Sequence, residues 1–572
     1  MRPILTHAAL CALALLLAAC QFTRQTQHAA AVEKALADPA AAALAKPTPG
    51  QIAWADMECE MFVHFGVATW KGSEYDANGQ MDLSQMNPKG FDAQQICDVA
   101  KSWGAKQVIL VCKHVGGFCW WPTDTTDYGV KGIPWKNGQG NLVKEVADSL
   151  RKNDLRMGIY IYSDDTRYAR GIGRGGRTDD PGKQEEWNQK LRQQWTEVLT
   201  CCGPDLLREV WFDGGCVVPL KDILAKHAPN AMVFGGPNAT LRWPGTESGK
   251  LPYPCWSSIG AHVNSDGEGV GHPDGTRWCP PECDTVLYGR GGHNWFWSPR
   301  NESRRHTLEE LMEIYLKSVG RGGVMLLNSS PNTDGVIPEG DVKAYRAFGD
   351  EIRRRFGKPL AQTAGVGDVV ELDLGGLRKI NQAWFMEDLR GGHRIRAYVL
   401  EGRDAKGRWQ PLAAGSSVGH KRIEVFAETT ADKLRLRVTQ KVGMPILRDL
   451  AGFFAEGVQG EALNPAALEA TAAPCGKWAK GDVGVTLDLT AHIPMPATYE
   501  VRLAPAGTVK IRSAKLLFNG FALPEEDCMV REDRVMIRQT QQVTPETKTR
   551  LVVEFEPGAE GGEARIRMAS EK

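Results

Sequence analysis

The 572-residue chain has no excess of charge of either sign, because 69 Lys and Arg offset 69 Asp and Glu. That balance lacks the footprint of a nucleic-acid or polyanion binder. Beyond the first 20 residues there is no apolar run of the roughly 20 residues that a membrane-crossing helix needs, so the remainder is expected to fold in water, as several domains. Cysteine is sparse and poorly spaced for metal. Of the 14 cysteines, the adjacent Cys201 and Cys202 and the pair Cys279 and Cys283 complete no zinc-ligand set. No metal and no cofactor are expected. A GxGxxG pattern does occur at Gly171, Gly173 and Gly176, but its context is DDTRYARGIGRGGRTDDPGK, polar and closed by proline. A dinucleotide fingerprint needs a strand-to-helix turn at that point, and the stretch reads instead as a mobile surface loop.

What is present begins with an export signal. Arg2 is followed by the apolar run LTHAALCALALLLAA and then by Cys20. A charged start, a short apolar core and small residues before the break describe a secretory signal. Leu17, Ala18, Ala19 and Cys20 resemble the bacterial lipoprotein box, which implies that Cys20 is lipidated. The expectation is an exported bacterial lipoprotein, periplasmic or at the cell surface, held to the membrane through its N-terminal lipid only. An ordinary cleaved signal is the alternative. Residues 21–50 are Ala-rich, polar and Pro-punctuated, with no sustained apolar stripe beyond one short helix, and are expected to form a tether.

Between residues 51 and 357, short runs rich in β-branched residues alternate with stretches of helical period. The strand-like runs are MFVHFGV, QVILVCKH, RMGIYIYS, REVWFDGG, AMVFGG and VMLLNSSP; FDAQQICDVAKSW, NLVKEVADSLRKN and LEELMEIYLKSVG are among the helical ones. That alternation predicts an α/β domain with a parallel sheet, a (β/α)8-type TIM barrel, with an open doubly wound sheet as the runner-up. Several runs end in residues with chemistry: His64, His114, Asp165 and Asp213. In a barrel such ends converge on one mouth.

Cleavage of a glycosidic bond needs one carboxyl to donate a proton to the leaving oxygen and a second to attack or assist on the other face of the sugar. Asp213 suits one of these roles, since it follows the apolar EVWF and precedes Gly214 and Gly215, which leave room for a ligand. Helix capping is the structural alternative for such an aspartate.

An ordered series of segments resembles the α-L-fucosidases of glycoside hydrolase family 29, and most closely the subfamily acting on α-1,3/4-linked fucose. The segments are FVHFG at His64, SEYD at Glu74, KHVGGFCWWPTDTTDYGVK from Lys113, EVWFDGG at Asp213, LRWPGTESG at Glu247, WCPPECD from Trp278 and GRGGVMLLNSSPNTDGVIP from Gly320. The resemblance implies an exo-acting, retaining enzyme acting on fucosylated glycans, with Asp213 as nucleophile. It implies Glu247, 34 positions downstream, as acid and base, with Glu282 the other candidate. Trp243 and Trp256 are close enough in sequence to desolvate that acid. The resemblance also implies that His64, Glu74 and His114 bind sugar hydroxyls, and Trp121, Trp295 and Trp297 are candidates to stack on the sugar. The chain departs from the family at three places: Val115 and Gly116 stand where a His-Asp pair is usual, Tyr75 replaces a tryptophan, and YSDD follows the third strand. These departures leave open a hydrolase for a related L-sugar, or a catalytically degenerate glycan-binding protein.

From about residue 358 the pattern changes to short alternating strands, predicting two all-β sandwich domains over 358–460 and 461–572. The stretch RIRAYVLEGRDAKGRWQPLAAGSSVGHKRI resembles discoidin-like modules, which implies a jelly roll in the first of them.

Overall fold

The structure, a computed structural model, describes residues 26–72, 81–166, 168, 172–236, 238–260, 269–290, 294–493, 497–505, 509–539 and 547–569. Among the described residues no helix is long and apolar enough to cross a membrane, and the twelve cysteines are free thiols. Cys20 and Glu74 lie outside the described residues.

Seven parallel strands form the first sheet: β1 (Cys59–Val63), β2 (Gln107–Lys113), β3 (Arg156–Ile161), β4 (Leu207–Trp211), β5 (Met232–Phe234), β6 (Glu282–Val286) and β7 (Val324–Ser329). Their order is β5-β4-β3-β2-β1-β7-β6. Residues 240–242 bridge the two edges. The Thr240 and Leu241 N–H groups donate to Val233 O, and the Glu282 N–H donates to Arg242 O. The sheet is therefore part of a (β/α)8-type barrel, not the open doubly wound alternative.

Helices α1 (Pro49–Ala55), α2 (Ala93–Trp103), α3 (Leu142–Lys152), α4 (Gln184–Cys202), α5 (Lys221–His227), α6 (Leu308–Ser318) and α7 (Glu339–Phe356) accompany these strands. Their ends are written in the sequence. Asp92 accepts the Gln94 N–H at the start of α2, Gly104 closes that helix with φ of 97°, and Thr307 and Glu310 form a reciprocal capping box on α6. On α2 the buried residues Ile96, Cys97, Val99, Ala100 and Trp103 recur at helical spacing and face the sheet.

Strands β1, β2, β6 and β7 are buried along their whole length, as expected when helices cover one face and the barrel interior the other. Alternation then sorts the side chains. Met61, Val108, Leu110, Met325 and Leu327 pack in the outer core with the helices, whereas Phe62, Ile109, Trp211, Val286 and Leu326 pack inside. One inward residue earlier on β1 and β4 are Glu60 and Glu209, and two inward residues before Val286 on β6 is Glu282. One inward residue later on β1 and β4 are His64 and Asp213. The same parity thus puts one carboxyl layer at the closed end and another set of polar groups at the mouth.

The C-terminal part is built on β-sheets, with a short α-helix, Pro465–Ala470, between them. Six antiparallel strands between Ala361 and Phe453 form one sheet, whose two long members, Val369–Glu387 and Arg422–Lys441, shift register where they pair and share one apolar core. Between Ala473 and Met568, a five-stranded and a four-stranded sheet enclose a separate core. The first β unit is docked to the barrel: His420 Nε2 lies 2.8 Å from Asp56 Oδ1, and the Ile423 N–H donates to Gly320 O.

The tether expected over 21–50 is corrected where it is described. Residues 26–36 are helical, Val32 and Ala35 pack on Ile446, and the Arg394 guanidinium donates to Ala35 O at 2.6 Å. Two apolar side chains on one helical face suffice to dock a short segment whose composition otherwise reads as linker.

Candidate active site

A cavity of about 280 Å3 opens at the C-terminal ends of the strands. This is near the lower end of the ~300–1,000 Å3 range of small-molecule sites. Its polar lining is His64, His114, Tyr160, Asp213, Glu247 and Asp284, and its apolar lining includes Phe62, Val115, Trp211, Phe234, Trp243 and Trp295. The floor is aromatic and tightly packed, with Trp211 and Phe234 stacked at 3.6 Å between ring centroids.

Asp213 lies two residues beyond β4. Gly214 and Gly215 follow with φ of 64° and 85°, a region open to glycine but not to most side chains. A Cβ on Gly214 would sit 2.6 Å from Gly173 Cα, so both the turn and the close approach require glycine. From β3 the Tyr160 hydroxyl donates to Asp213 Oδ2 at 2.8 Å. A donor aimed at a carboxylate favours its ionised form.

Glu247 arrives from a segment that runs back along β6. Residues Ser248 and Thr285 form an antiparallel bridge, and the Gly249 N–H donates to Asp284 O at 3.1 Å. Upstream in the same segment, Trp243 Nε1 donates to Asp284 Oδ1 at 3.0 Å. Burial pushes the Asp284 carboxyl well above the usual carboxylate range, and the charges of Glu247 and, less strongly, Asp213 push the same way. Three carboxyls therefore share this mouth.

The histidines are held in different ways. His64 Nδ1 lies 2.8 Å from Asn328 Oδ1, while the Asn328 amide nitrogen donates to Trp295 O at 2.7 Å. That arrangement fixes the amide orientation, so Asn328 Oδ1 accepts from the His64 Nδ1–H. Burial lowers the His114 pKa to about 4, so its ring is neutral at neutral pH. His114 Nδ1 has no hydrogen-bond partner among the described residues.

Of the residues expected from sequence, Asp213, Glu247, His64, His114, Trp243 and Trp295 meet in this cavity. Others do not. Trp121 is buried under α4, its indole donating to Glu197 Oε2 at 2.8 Å, and Trp297 donates to Glu302 Oε1 at 3.2 Å outside the cavity lining. Trp256 packs edge-on against His393 of the β unit. Residues 172–176 form a surface loop, with Ile172 60% exposed, that also borders the cavity: Asp164 accepts the Arg174 and Gly176 N–H groups, the Gly173 N–H donates to Tyr162 Oη, and Ile172 is among the lining residues. Sequence reasoning missed Tyr160 and Asp284. Strand parity could have found Asp284, which shares the inward face of β6 with Glu282, but not Tyr160, because the residue singled out after its strand, Asp165, has the opposite parity.

Glu282 is also elsewhere. It sits at the closed end of the barrel with Glu60 and Glu209, all at 0% exposure, with ligand atoms of the three within 4.8 Å of one another. Among the described residues this is the group whose spacing fits a metal. It is also supplied with N–H donors: Trp54 and Gln107 donate to Glu209 Oε2, Gln107 also donates to Glu60 Oε1, and Trp211 donates to Glu282 Oε2. Burial pushes all three carboxyls well above their ordinary range, and their mutual repulsion adds to it. A proton-sharing cluster fits these donors, and it has no opening to the cavity lining.

Comparison with known proteins agrees with this geometry. Residues 53–354 match the family model described as alpha-L-fucosidase. Alpha-L-fucosidase 1 of Arabidopsis thaliana is 30% identical over 480 residues, covering 74% of this chain and 90% of the plant protein. A crystal structure of a candidate alpha-L-fucosidase from Bacteroides thetaiotaomicron superposes with a TM-score of 0.68 at 32% identity, over 72% of this chain and 100% of that one. A glycoside hydrolase 29 family member from an unknown rumen bacterium, 25% identical with a TM-score of 0.65, covers 92% of this chain and 100% of its own.

Proposed function

Given that the chain belongs to the alpha-L-fucosidase family of glycoside hydrolases, we propose that it is an exo-acting, retaining α-L-fucosidase that removes terminal α-1,3- or α-1,4-linked fucose from glycans. The observation that carries the reading is the meeting of Asp213, from the end of β4, and Glu247, from the segment between β5 and β6, in one cavity of single-sugar size with Tyr160 donating to Asp213. In the first step a carboxylate oxygen of Asp213 attacks the anomeric carbon. The bond to the glycosidic oxygen breaks and Glu247 gives that oxygen its proton, so the aglycone leaves as an alcohol. In the second, Glu247 takes a proton from water, the water oxygen attacks the anomeric carbon, and Asp213 is released as carboxylate. Two inversions give net retention. His64 Nε2 and His114 Nδ1 supply hydrogen-bonding positions for ring hydroxyls, and Trp295, tilted against His64 at 4.8 Å, supplies an apolar wall.

The linkage rests on the ordered segments that resemble the α-1,3/4 subfamily. Val115 in the cavity wall favours a second reading, a hydrolase that accepts a related L-sugar, because an apolar side chain stands where a hydroxyl-binding group is usual. A panel of α-1,2-, α-1,3-, α-1,4- and α-1,6-fucosylated glycans and related L-glycosides separates these readings. Release of fucose from the α-1,3 and α-1,4 members supports the proposal, faster release of another L-sugar supports the second reading, and absence of any release overturns both. We also propose export as a Cys20-lipidated protein, for which mass spectrometry of the mature N-terminus is the test.

A further inference from the structure

Resting on that reading, we propose that Asp284 is the positioning residue of the acid/base: it clamps both ends of the segment that carries Glu247 and shares a proton with it, keeping Glu247 ready to donate. The clamp is geometric. Its side chain accepts the Trp243 indole N–H at 3.0 Å, four residues before Glu247, and its backbone carbonyl accepts the Gly249 N–H at 3.1 Å, two residues after. Ser248, beside Glu247, is bridged to Thr285, beside Asp284. The seven-residue span from 243 to 249 is thus tied at each end to one residue of β6. Gly249 has φ of 68°, and a Cβ there would lie 2.7 Å from Ile314 and 2.8 Å from Thr285, so the segment fits closely against that strand.

The chemistry follows from what faces Asp284. Its carboxyl is 3% exposed and lines the same cavity as Glu247 and Asp213. Glu247 is the strongest charge acting on it, and Asp213, from the end of β4, acts in the same sense. On β7 its register partner is Leu326, which carries no charge. The Trp243 indole is the side-chain donor that the described residues supply to it. Two carboxyls coupled in a desolvated site titrate as a pair, and the pair holds its last proton to higher pH than either would alone. Asp284 does not touch the sugar bond in this account. It acts through Glu247, and the shared proton is the one that Glu247 passes to the leaving oxygen.

Asp284→Asn keeps the shape and an acceptor for Trp243 but removes the titrating charge. With an aryl α-L-fucoside whose leaving group needs protonation, the basic limb of the kcat/KM profile is expected to move down by about one pH unit, while the acidic limb moves less. With a dinitrophenyl-type leaving group, which needs no proton, activity at neutral pH is expected to stay near that of the wild type. Trp243→Phe removes the donor that favours the ionised form of Asp284, so it is expected to move the basic limb the opposite way, upward, while opening one end of the clamp lowers kcat/KM on the poor leaving group more than on the activated one. An unmoved basic limb in both variants, each with wild-type thermal stability, would overturn the proposal, as would an equal loss on both leaving groups. Failure of the wild type itself to cleave any α-L-fucoside would instead overturn the fucosidase reading, and this inference with it.

Discussion

Replacing Glu282 with glutamine tests whether the closed-end cluster is held together by protons. Glu60, Glu209 and Glu282 have no solvent exposure, and their carboxyls lie within 4.8 Å of one another. Three adjacent negative charges with only indole and amide donors around them cannot all persist in that setting. At least two protons remain in the folded state at pH values where the unfolded chain, with glutamates near their ordinary 4.3, has lost them. A carboxyl whose folded pKa is raised contributes stability that is complete below its unfolded pKa and is lost as pH rises toward its folded pKa. Each retained proton makes stability fall by about 1.4 kcal/mol per pH unit, so two give about 2.7 kcal/mol per unit. Glu282→Gln supplies a neutral amide of the same shape, able to accept from Trp211 and donate to its neighbours, and removes one of these protons. As pH rises through the range in which the wild-type cluster still holds that proton, the variant is expected to lose stability less steeply than wild type, by about 1.4 kcal/mol per pH unit for the one proton removed. Urea unfolding of both proteins at pH 5, 6, 7 and 8, followed by tryptophan fluorescence, reads the difference in slope. Parallel pH dependences would refute the proton-sharing cluster. The same variant should keep its leaving-group dependence unchanged, because Glu282 is outside the site.

Further outcomes concern the mouth. Asp213→Gly should abolish turnover while leaving the thermal transition in place, and added azide should restore activity as a glycosyl azide product; no rescue would count against Asp213 as the attacking group. Glu247→Ala should lose activity on poor leaving groups by two to four orders of magnitude, about what general acid catalysis contributes, and keep far more on activated fucosides. Equal loss on both would move the acid/base role elsewhere. Asn328→Ala removes the partner that accepts the His64 Nδ1–H, and kcat/KM on fucosides should fall about tenfold for each 1.4 kcal/mol of transition-state binding lost; unchanged kinetics would remove His64 Nε2 as a ligand group.

The barrel was legible because its strands, buried on both faces, read as short β-branched runs that alternate with stretches of helical period, which is a local property of sequence. Asp213 and Glu247 were legible through the segments around them. What sequence could not resolve was depth along a strand. Glu282 and Asp284 are two positions apart on the same inward face, so alternation makes them equivalent, and only the height of β6 in the ring puts Glu282 at the closed end and Asp284 at the mouth. Tryptophan was ambiguous for a related reason. Trp121 and Trp295 carry the same side chain and both follow strand or loop ends, but Trp121 packs beneath α4 while Trp295 reaches His64. The stretch around Ile172 was legible as a surface loop, but its composition gave no sign that Asp164 gathers the Arg174 and Gly176 N–H groups and sets the loop beside the cavity.

The central claim, that Asp213 attacks and Glu247 first gives and then takes a proton in this one cavity, is tested most directly by proton NMR of the first sugar released from an activated α-L-fucoside. The account predicts that α-L-fucose appears first and then mutarotates. If β-L-fucose appears first, the reaction inverts and Asp213 cannot be the nucleophile.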